Sequence, residues 1–407
     1  MKKQSNTPKI RFHNYKELWE CDDLKNIFGT IRNAFVGTAT PYYVEKGHFY
    51  LESNNVKNGK INYNSQIFIN DEFYEKQRDK WLKTNDIVMV QSGHVGHTAV
   101  IPKELNNTAA HALIVFTDYK KEVNPHFLNY QFQSSSKRKK LDLISTGNTI
   151  KHILASEMKS FKMDFPTVEE QSAIGSLFRT LDDLLTSYKD NLANYQSLKT
   201  TMLSKMFPKA GRTVPEIRLD GFEGEWEVVN LGTLIENYDE VISGTSGFPI
   251  ATSSRKGLYL QNDYFEGGRT GIDLTLDFHR VPIGYVTYRH MSDDSIFKFN
   301  KNNFETDVLV SKEYPVFISN DSSDIDFLLY HLNNSRLFLR FSTMQKLGGT
   351  RVRLYYKNLI TYKIAVPTVK EQQAIGFYFS NLDNLINSYQ EKISQLETLK
   401  KKLLQDM

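Results

Sequence analysis

The strongest constraint on this chain is a long segment that occurs twice. Residues 165–206 read FPTVEEQSAIGSLFRTLDDLLTSYKDNLANYQSLKTTMLSKM, and residues 366–407 read VPTVKEQQAIGFYFSNLDNLINSYQEKISQLETLKKKLLQDM. At an offset of 201 positions, eighteen of the forty-two residues are identical. The stretches ahead of the two copies match far less well, which is the pattern of one spacer carrying two different modules.

Both copies predict helices. Thr167-Val-Glu-Glu170 and Thr368-Val-Lys-Glu371 fit a capping box, in which the threonine hydroxyl accepts from an early N–H and the glutamate reaches back. Pro166 and Pro367 keep the preceding residues out of the helix. Leu181, Leu185, Tyr188, Leu192 and Tyr195 follow 4-3-4-3 spacing, as do Leu382, Ile386, Tyr389, Ile393 and Leu396. That spacing is a helix-pairing seam. Gly175 and Gly376 each cost about 1 kcal/mol relative to alanine inside a helix. Their presence in both copies predicts close backbone approach there. Roughly 40 residues at ~1.5 Å each make a rod of about 60 Å. The second helix leaves its module with the same seam and the same length. It buries that seam against the first by running back, so the pair is expected to be antiparallel.

A second repeat opens each half. TPKIRFHNYKELWECDDL (7–24) aligns with VPEIRLDGFEGEWEVVNL (214–231), matching Pro8/Pro215, Ile10/Ile217, Arg11/Arg218, Trp19/Trp226, Glu20/Glu227 and Leu24/Leu231. The expected organisation is a first module over 1–165, a spacer helix over 166–207, a second module over 208–365 that opens with a linker at 208–216, and a second spacer helix over 366–407. In fold class the expectation is α+β: two globular domains separated by a long antiparallel two-helix coiled coil, related by a pseudo-twofold axis.

The modules combine strands and helices. HFYLESNNV (48–56) and DIVMVQSG (86–93) read as strands, as do GLYLQND (257–263) and GYVTYRH (284–290). Asn124-Pro125 opens a short helix that is expected to end in the basic run Lys137-Arg-Lys-Lys140, a suitable place for cations. SDIDFLLYHLNNSRLFLRF (323–341) echoes it, with Phe127, Leu128 and Tyr130 answered by Phe327, Leu328 and Tyr330.

Composition limits the function classes. With 40% hydrophobic and 13% aromatic residues, the chain can bury real cores. A formal charge of +4, from 51 basic and 47 acidic residues, permits local basic surfaces without demanding them. The single cysteine, Cys21, excludes an intramolecular disulfide and a cysteine-built metal site. The opening MKKQSNTPKIRF lacks the apolar core of a secretory signal, and no apolar run approaches the ~20 residues of a membrane span. The expectation is a cytoplasmic protein with no membrane contact.

These features resemble the specificity subunit of type I restriction-modification systems, over the whole length. The resemblance rests on the two-module layout, the Pro-x-x-x-Glu-Gln-x-x-Ile signature at Pro166–Ile174 and Pro367–Ile375, and the Pro-x-Ile-Arg entry segments. It implies that each module is a target-recognition domain reading one half of a split, asymmetric double-stranded DNA sequence. It implies that the helices hold the domains apart and dock two modification subunits, which methylate adenine at N6 with S-adenosylmethionine. Two restriction subunits, using ATP and magnesium, would join through them. This chain itself would bind no cofactor and catalyse nothing. The physics agrees: duplex DNA repeats its grooves, so two unlike heads on a rod read two unlike segments across an unread gap.

No Asn-Pro-Pro-aromatic methylation motif is present; Asn124-Pro125-His126 lacks the second proline. There is no Gly-x-x-x-x-Gly-Lys-Ser/Thr phosphate loop, and Ser92-Gly-His-Val-Gly-His97 has no lysine in the required place. His94 and His97 lack a third ligand, so a strand-end turn near DNA is favoured over a metal site. Candidate DNA contacts gather just before each spacer helix: Lys137, Arg138, Lys139, Lys140, Thr146, Asn148, Thr149, Lys151 and His152 in module one, and Lys346, Thr350, Arg351 and Arg353 in module two. Gly147 and Gly348-Gly349 would let backbone approach phosphate. Further candidates follow strands: Gln91, Ser92 and His94, then Gln261, Asn262, Tyr264, Arg289 and His290. Arginine reads guanine and asparagine reads adenine, while lysine mostly holds phosphate. Three other readings compete: a solvated helix end at Lys137–Lys140, a stand-alone DNA-binding regulator, and a coiled-coil scaffold. A fused restriction-modification enzyme is disfavoured by the missing motifs.

Overall fold

A computed structural model describes residues 8–147, 151–264, 273–346 and 351–407. The chain forms two compact units: unit 1, Met1–Lys189 with Glu391–Met407, and unit 2, Asp190–Gln390.

Unit 1 is built on an antiparallel sheet in the order Phe28–Asn33, Leu113–Tyr119, Ile87–Val90, Thr98–Val100. The run Leu113-Ile-Val-Phe is apolar at every position because the sheet is covered on both faces. Alternate residues point opposite ways. Ile87, Met89, Ile114 and Phe116 pack with Phe127, Leu128 and Phe132, while Val88, Val90, Leu113 and Val115 pack with Leu51 and Val56. A second four-stranded sheet runs in the order Ala109–Ala110, His48–Leu51, Ile67–Ile69, Tyr43–Val44. The segment expected as one strand over 48–56 is interrupted by a 3-10 turn at Ser53–Asn55, where the Asn55 side chain accepts from Glu52 N–H at 2.9 Å.

Unit 2 has the corresponding sheet in the order Ile235–Tyr238, Val316–Ser319, Val286–Tyr288, Phe299–Lys301, packed on Phe327, Leu328, Leu332 and Phe338. Its second sheet differs: three strands, Val241–Ser243, Asp277–Val281 and Val308–Ser311. A separate hairpin, Ala251–Ser254 with Gly257–Leu260, turns through Arg255 and Lys256.

The helices near the sheets correct one expectation. The basic run does not end the helix opened by Asn124. That helix, Pro125–Gln133, stops at Ser134, whose extended backbone starts a second helix, Ser135–Ile144, containing Lys137–Lys140. Unit 2 breaks at the same place, with Ile325–Asn334 and Arg336–Met344 divided at Ser335.

The entry repeat folds identically in the two units. Glu20–Asp23 pairs antiparallel with Lys162–Phe165, and Glu227–Asn230 with Lys363–Val366. Trp19 and Trp226 are buried, each ring 5.7 Å from Phe127 or Phe327.

These strands feed the long helices, Val168–Lys205 and Val369–Asp406. Thr167 and Thr368 cap them, each hydroxyl accepting from the glutamate N–H at 3.4 Å. The glutamate carboxylates have another partner. Arg11 donates through Nε and Nη2 to Glu170, both at 2.6 Å, and Arg218 likewise to Glu371 at 2.8 and 2.6 Å. Both carboxylates are buried. Gln171 and Gln372 accept from the backbone N–H of Asn124 and Asp324, the residues that cap the module helices. Gly175 and Gly376 lie against the same caps. A Cβ there would sit 3.0 Å from Asn124 Oδ1 or 2.8 Å from Asp324 Oδ1, which is the close approach their repetition predicted.

Each unit contains the opening of one long helix and the closing stretch of the other, running antiparallel. In unit 1, Lys400 bonds Asp182 at 2.5 Å and Lys189 bonds Glu397 at 2.6 Å. In unit 2, Lys199 bonds Asp383, and Tyr195 and Tyr389 pack with centroids 5.4 Å apart. Tyr130 donates to Asp182 and Tyr330 to Asp383, each at 2.8 Å, and each lysine lies over the tyrosine of its own joint. Of the seam residues, Leu181, Leu185, Leu382, Ile386 and Ile393 are buried, while Tyr188, Leu192 and Tyr389 are partly buried.

Candidate nucleic-acid interface

In unit 1 the two candidate segments meet. Ser92 and Thr146 each form an antiparallel bridge to His152. Gly93 N–H donates to Lys151 O at 3.1 Å, and Ile153 N–H to Gln91 O at 3.0 Å. The turn after strand Ile87–Val90 is thereby fastened beside the segment that follows helix Ser135–Ile144. Glycines make the turn possible: Gly93 and Gly96 both have φ of +78°, a conformation that side chains resist. His94, Lys139, Lys140, Thr146, Lys151 and His152 are exposed, and Gln91 and Ser92 half-buried.

His97 packs beneath this surface. Its Nδ1 accepts from Asn58 N–H at 3.2 Å and from Arg138 Nη2 at 3.3 Å. Burial, with the Arg138 charge second, pushes its pKa down to about 4. The ring is therefore neutral near pH 7, as an acceptor of two donors must be. Arg138 is half-buried and holds the turn from below. Among the described residues no group of three His, Cys, Asp or Glu side chains is arranged to hold a metal ion.

Lys137 requires a correction. Its side chain is 1% exposed, with the ammonium donating to Asp164 Oδ2 at 2.6 Å and to Lys162 O at 2.8 Å. It straps the second helix to the strand that enters the spacer and is not available to phosphate. One turn along, Leu141 is buried on the same face. That i, i+4 relation was the available signal against reading all four cations as one surface patch.

Unit 2 repeats the backbone arrangement with different side chains. Met291 pairs with Arg353 and Ser292 with Val352, while Leu354 N–H donates to His290 O at 2.9 Å. Arg289, Arg351 and Arg353 are exposed there. His290 is buried and stacks on Tyr355, so it supports the surface and does not form it. Burial lowers its pKa. The strand expected over 257–263 ends at Leu260, and Gln261, Asn262 and Tyr264 form a helical turn, Gln261–Tyr264. The Oε1 atoms of Gln91 and Gln261 are buried with no hydrogen-bond partner among the described residues. Leaving such an atom without a partner is costly. Lys346 is exposed at the end of helix Arg336–Met344. Asn148, Thr149 and Thr350, with Gly348 and Gly349, lie outside the described residues.

A cleft of about 730 Å³ opens beside Arg289 and Arg351 and is also lined by Arg255, Lys256, Lys298 and Tyr264. Arg255 and Lys256 escaped the sequence reading. Their signal was a cationic pair at a two-residue hairpin turn, Ser254-Arg-Lys-Gly257.

The chain belongs to the family described as the type I restriction modification DNA specificity domain, whose model matches residues 39–194 and 247–398. It is a specificity subunit of a type I restriction-modification system. It is 23% identical to a Methanocaldococcus jannaschii protein named for the type I restriction enzyme MjaX specificity subunit, covering 99% of this chain and 95% of that one. It is 24% identical to the type I restriction enzyme EcoBI specificity subunit of Escherichia coli, over 49% of this chain and 44% of that protein. The crystal structure of the type I restriction-modification S subunit from M. genitalium shares the fold, with a TM-score of 0.61 at 15% identity and 98% coverage of each chain. No helix among the described residues is long and apolar enough to cross a membrane.

Proposed function

We propose that each unit reads one part of a bipartite, asymmetric double-stranded DNA target, and that the paired helices set the unread gap and dock two modification subunits. One observation carries this reading. The two units share their entry strand, their arginine–glutamate clamp and their tyrosine–aspartate–lysine joint, yet present different side chains on the matching strand pair: Ser92 and His152 in unit 1, Met291 and Arg353 in unit 2. A shared frame with unlike faces suits two unlike half-sites, each read at base edges while cations hold phosphates.

In this reading the chain divides into recognition domains over 1–165 and 208–365 and spacer helices over 166–207 and 366–407. It works in the cytoplasm and performs no chemistry of its own. The modification subunits supply S-adenosylmethionine and transfer its methyl group to adenine N6; two restriction subunits add ATP- and magnesium-dependent cleavage. The test is to express the chain with its modification subunits and map N6-methyladenine across a genome. The expected result is one two-part, non-palindromic motif. Methylation at a palindrome, or none that depends on this chain, overturns the proposal.

A further inference from the structure

The cleft in unit 2 contains a chain of contacts that the general reading does not use. Asp293 and Asp294 are adjacent, and each holds an arginine from a different part of the unit. Asp294 receives Nη1 and Nη2 of Arg255 at 2.7 and 2.5 Å. The same carboxylate accepts from Ser292 Oγ at 2.8 Å and from Ile296 N–H at 3.1 Å. Arg255 and these bonds hold it ionised, with a pKa of about 2. Asp294 is thus the knot of the turn over 292–296, tied to the hairpin tip at Arg255. That knot fixes the neighbouring Asp293, whose Oδ1 accepts from Arg351 Nε at 2.9 Å.

The two arginines are held by different edges. Arg255 faces its aspartate with both terminal nitrogens, so its strongest fork is occupied. Among the described residues Arg351 is gripped only at Nε, which leaves Nη1 and Nη2 as a parallel pair of donors without a partner among them. Arg351 is exposed, and its cleft is lined by four further cations, Arg255, Lys256, Arg289 and Lys298. A free two-donor fork on a fixed guanidinium matches the O6 and N7 acceptors of guanine in the major groove. A flexible arginine would lose side-chain freedom on binding; one already held at Nε loses less.

We propose that Arg351 reads a single guanine in the DNA target, and that Asp293, fixed through Asp294 and Arg255, is the positioning residue that aims it. This rests on the reading of unit 2 as a DNA-recognition domain and names the base it takes. The Asp293–Arg351 pair is exposed on both sides, 76% and 55%. Exposed pairs contribute little to stability. Substituting either residue therefore leaves the fold intact and isolates recognition.

The experiment uses the full chain assembled with its modification subunits and a duplex carrying its methylated motif. Each guanine in the motif is replaced in turn by 7-deazaguanine, which lacks the N7 acceptor. With the unsubstituted protein, one replacement is expected to weaken binding by roughly tenfold to a hundredfold. With Arg351→Ala, that same replacement has no further effect. With Asp293→Asn, binding of the natural duplex falls, and the penalty for that replacement shrinks without vanishing. A motif with no guanine, or a 7-deazaguanine penalty unchanged in Arg351→Ala, overturns the inference while leaving DNA recognition by the chain standing. No sequence-specific binding by the unsubstituted assembly overturns the underlying reading and the inference with it.

Discussion

Unit 1 and unit 2 agree in their joints and disagree in their faces. The contacts that fasten module to helix recur almost atom for atom: Arg11–Glu170 with Arg218–Glu371, Gln171 on Asn124 with Gln372 on Asp324, and Tyr130–Asp182–Lys400 with Tyr330–Asp383–Lys199. Where the matching strand pairs come to the surface, a serine–histidine bridge in one unit is a methionine–arginine pair in the other. A joint faces the same packing problem in both units, so its solution is retained. An exposed face is free to change once the joint carries the fold.

The comparison can be broken most sharply at the arginine clamps. Arg11→Ala and Arg218→Ala each leave a buried glutamate without its partner, and each is expected to cost about 3 kcal/mol. Chemical denaturation should show similar losses for the two variants. A large loss for one and none for the other would end their equivalence.

The glycines refine it. Gly175→Ala and Gly376→Ala gain about 1 kcal/mol of helix propensity but drive a methyl group into a helix cap. The contact is tighter at Gly376, at 2.8 Å against 3.0 Å. Gly376→Ala is therefore expected to be the more destabilising, by roughly 1–2 kcal/mol net of the gain. The reverse order in thermal melts would contradict the geometry.

The lysines differ in burial. Lys400 and Asp182 have side-chain exposures of 15% and 7%, while Lys199 and Asp383 have 25% and 35%. Lys400→Ala should cost about 2 kcal/mol and Lys199→Ala about 1 kcal/mol. Equal costs would mean that burial does not distinguish the joints.

Acid should affect both units. Burial lowers the pKa of His97 in unit 1 and of His331 in unit 2 to about 4. In the unfolded chain both titrate near ~6.5, so the unfolded state takes up protons first as pH falls. Their contribution is complete above about 6.5 and is lost progressively towards 4. With both lowered to the same value, the two histidines should contribute equally to this loss. Denaturation midpoints that stay flat from pH 6.5 to 5 would contradict this.

The sequence exposed the joints better than the faces. The two glycines were legible because a costly residue kept at the same helical position twice implies a close neighbour. The glutamate partners were not. A capping box is a local pattern, whereas Arg11 lies 159 residues from Glu170 and Arg218 lies 153 from Glu371. Lys137 was misread because a run of cations suggests surface, while helical periodicity places one of them beside Leu141 in the interior. Arg255 was missed because hairpin residues acquire meaning only from what folds opposite them, here Asp294 across 39 positions. The histidine candidates divided for the same reason: His152 reaches the surface, while His290 is buried against Tyr355.

The most direct test of two unlike faces is a pair of methylation maps from complexes altered on one face at a time. In one, Arg351 and Arg353 are replaced by alanine; in the other, Lys139, Lys140 and His152. The expected result is that each complex relaxes or loses recognition in a different half of the motif while the other half stays intact. Both sets of substitutions altering the same half, or each altering both halves, would contradict the account.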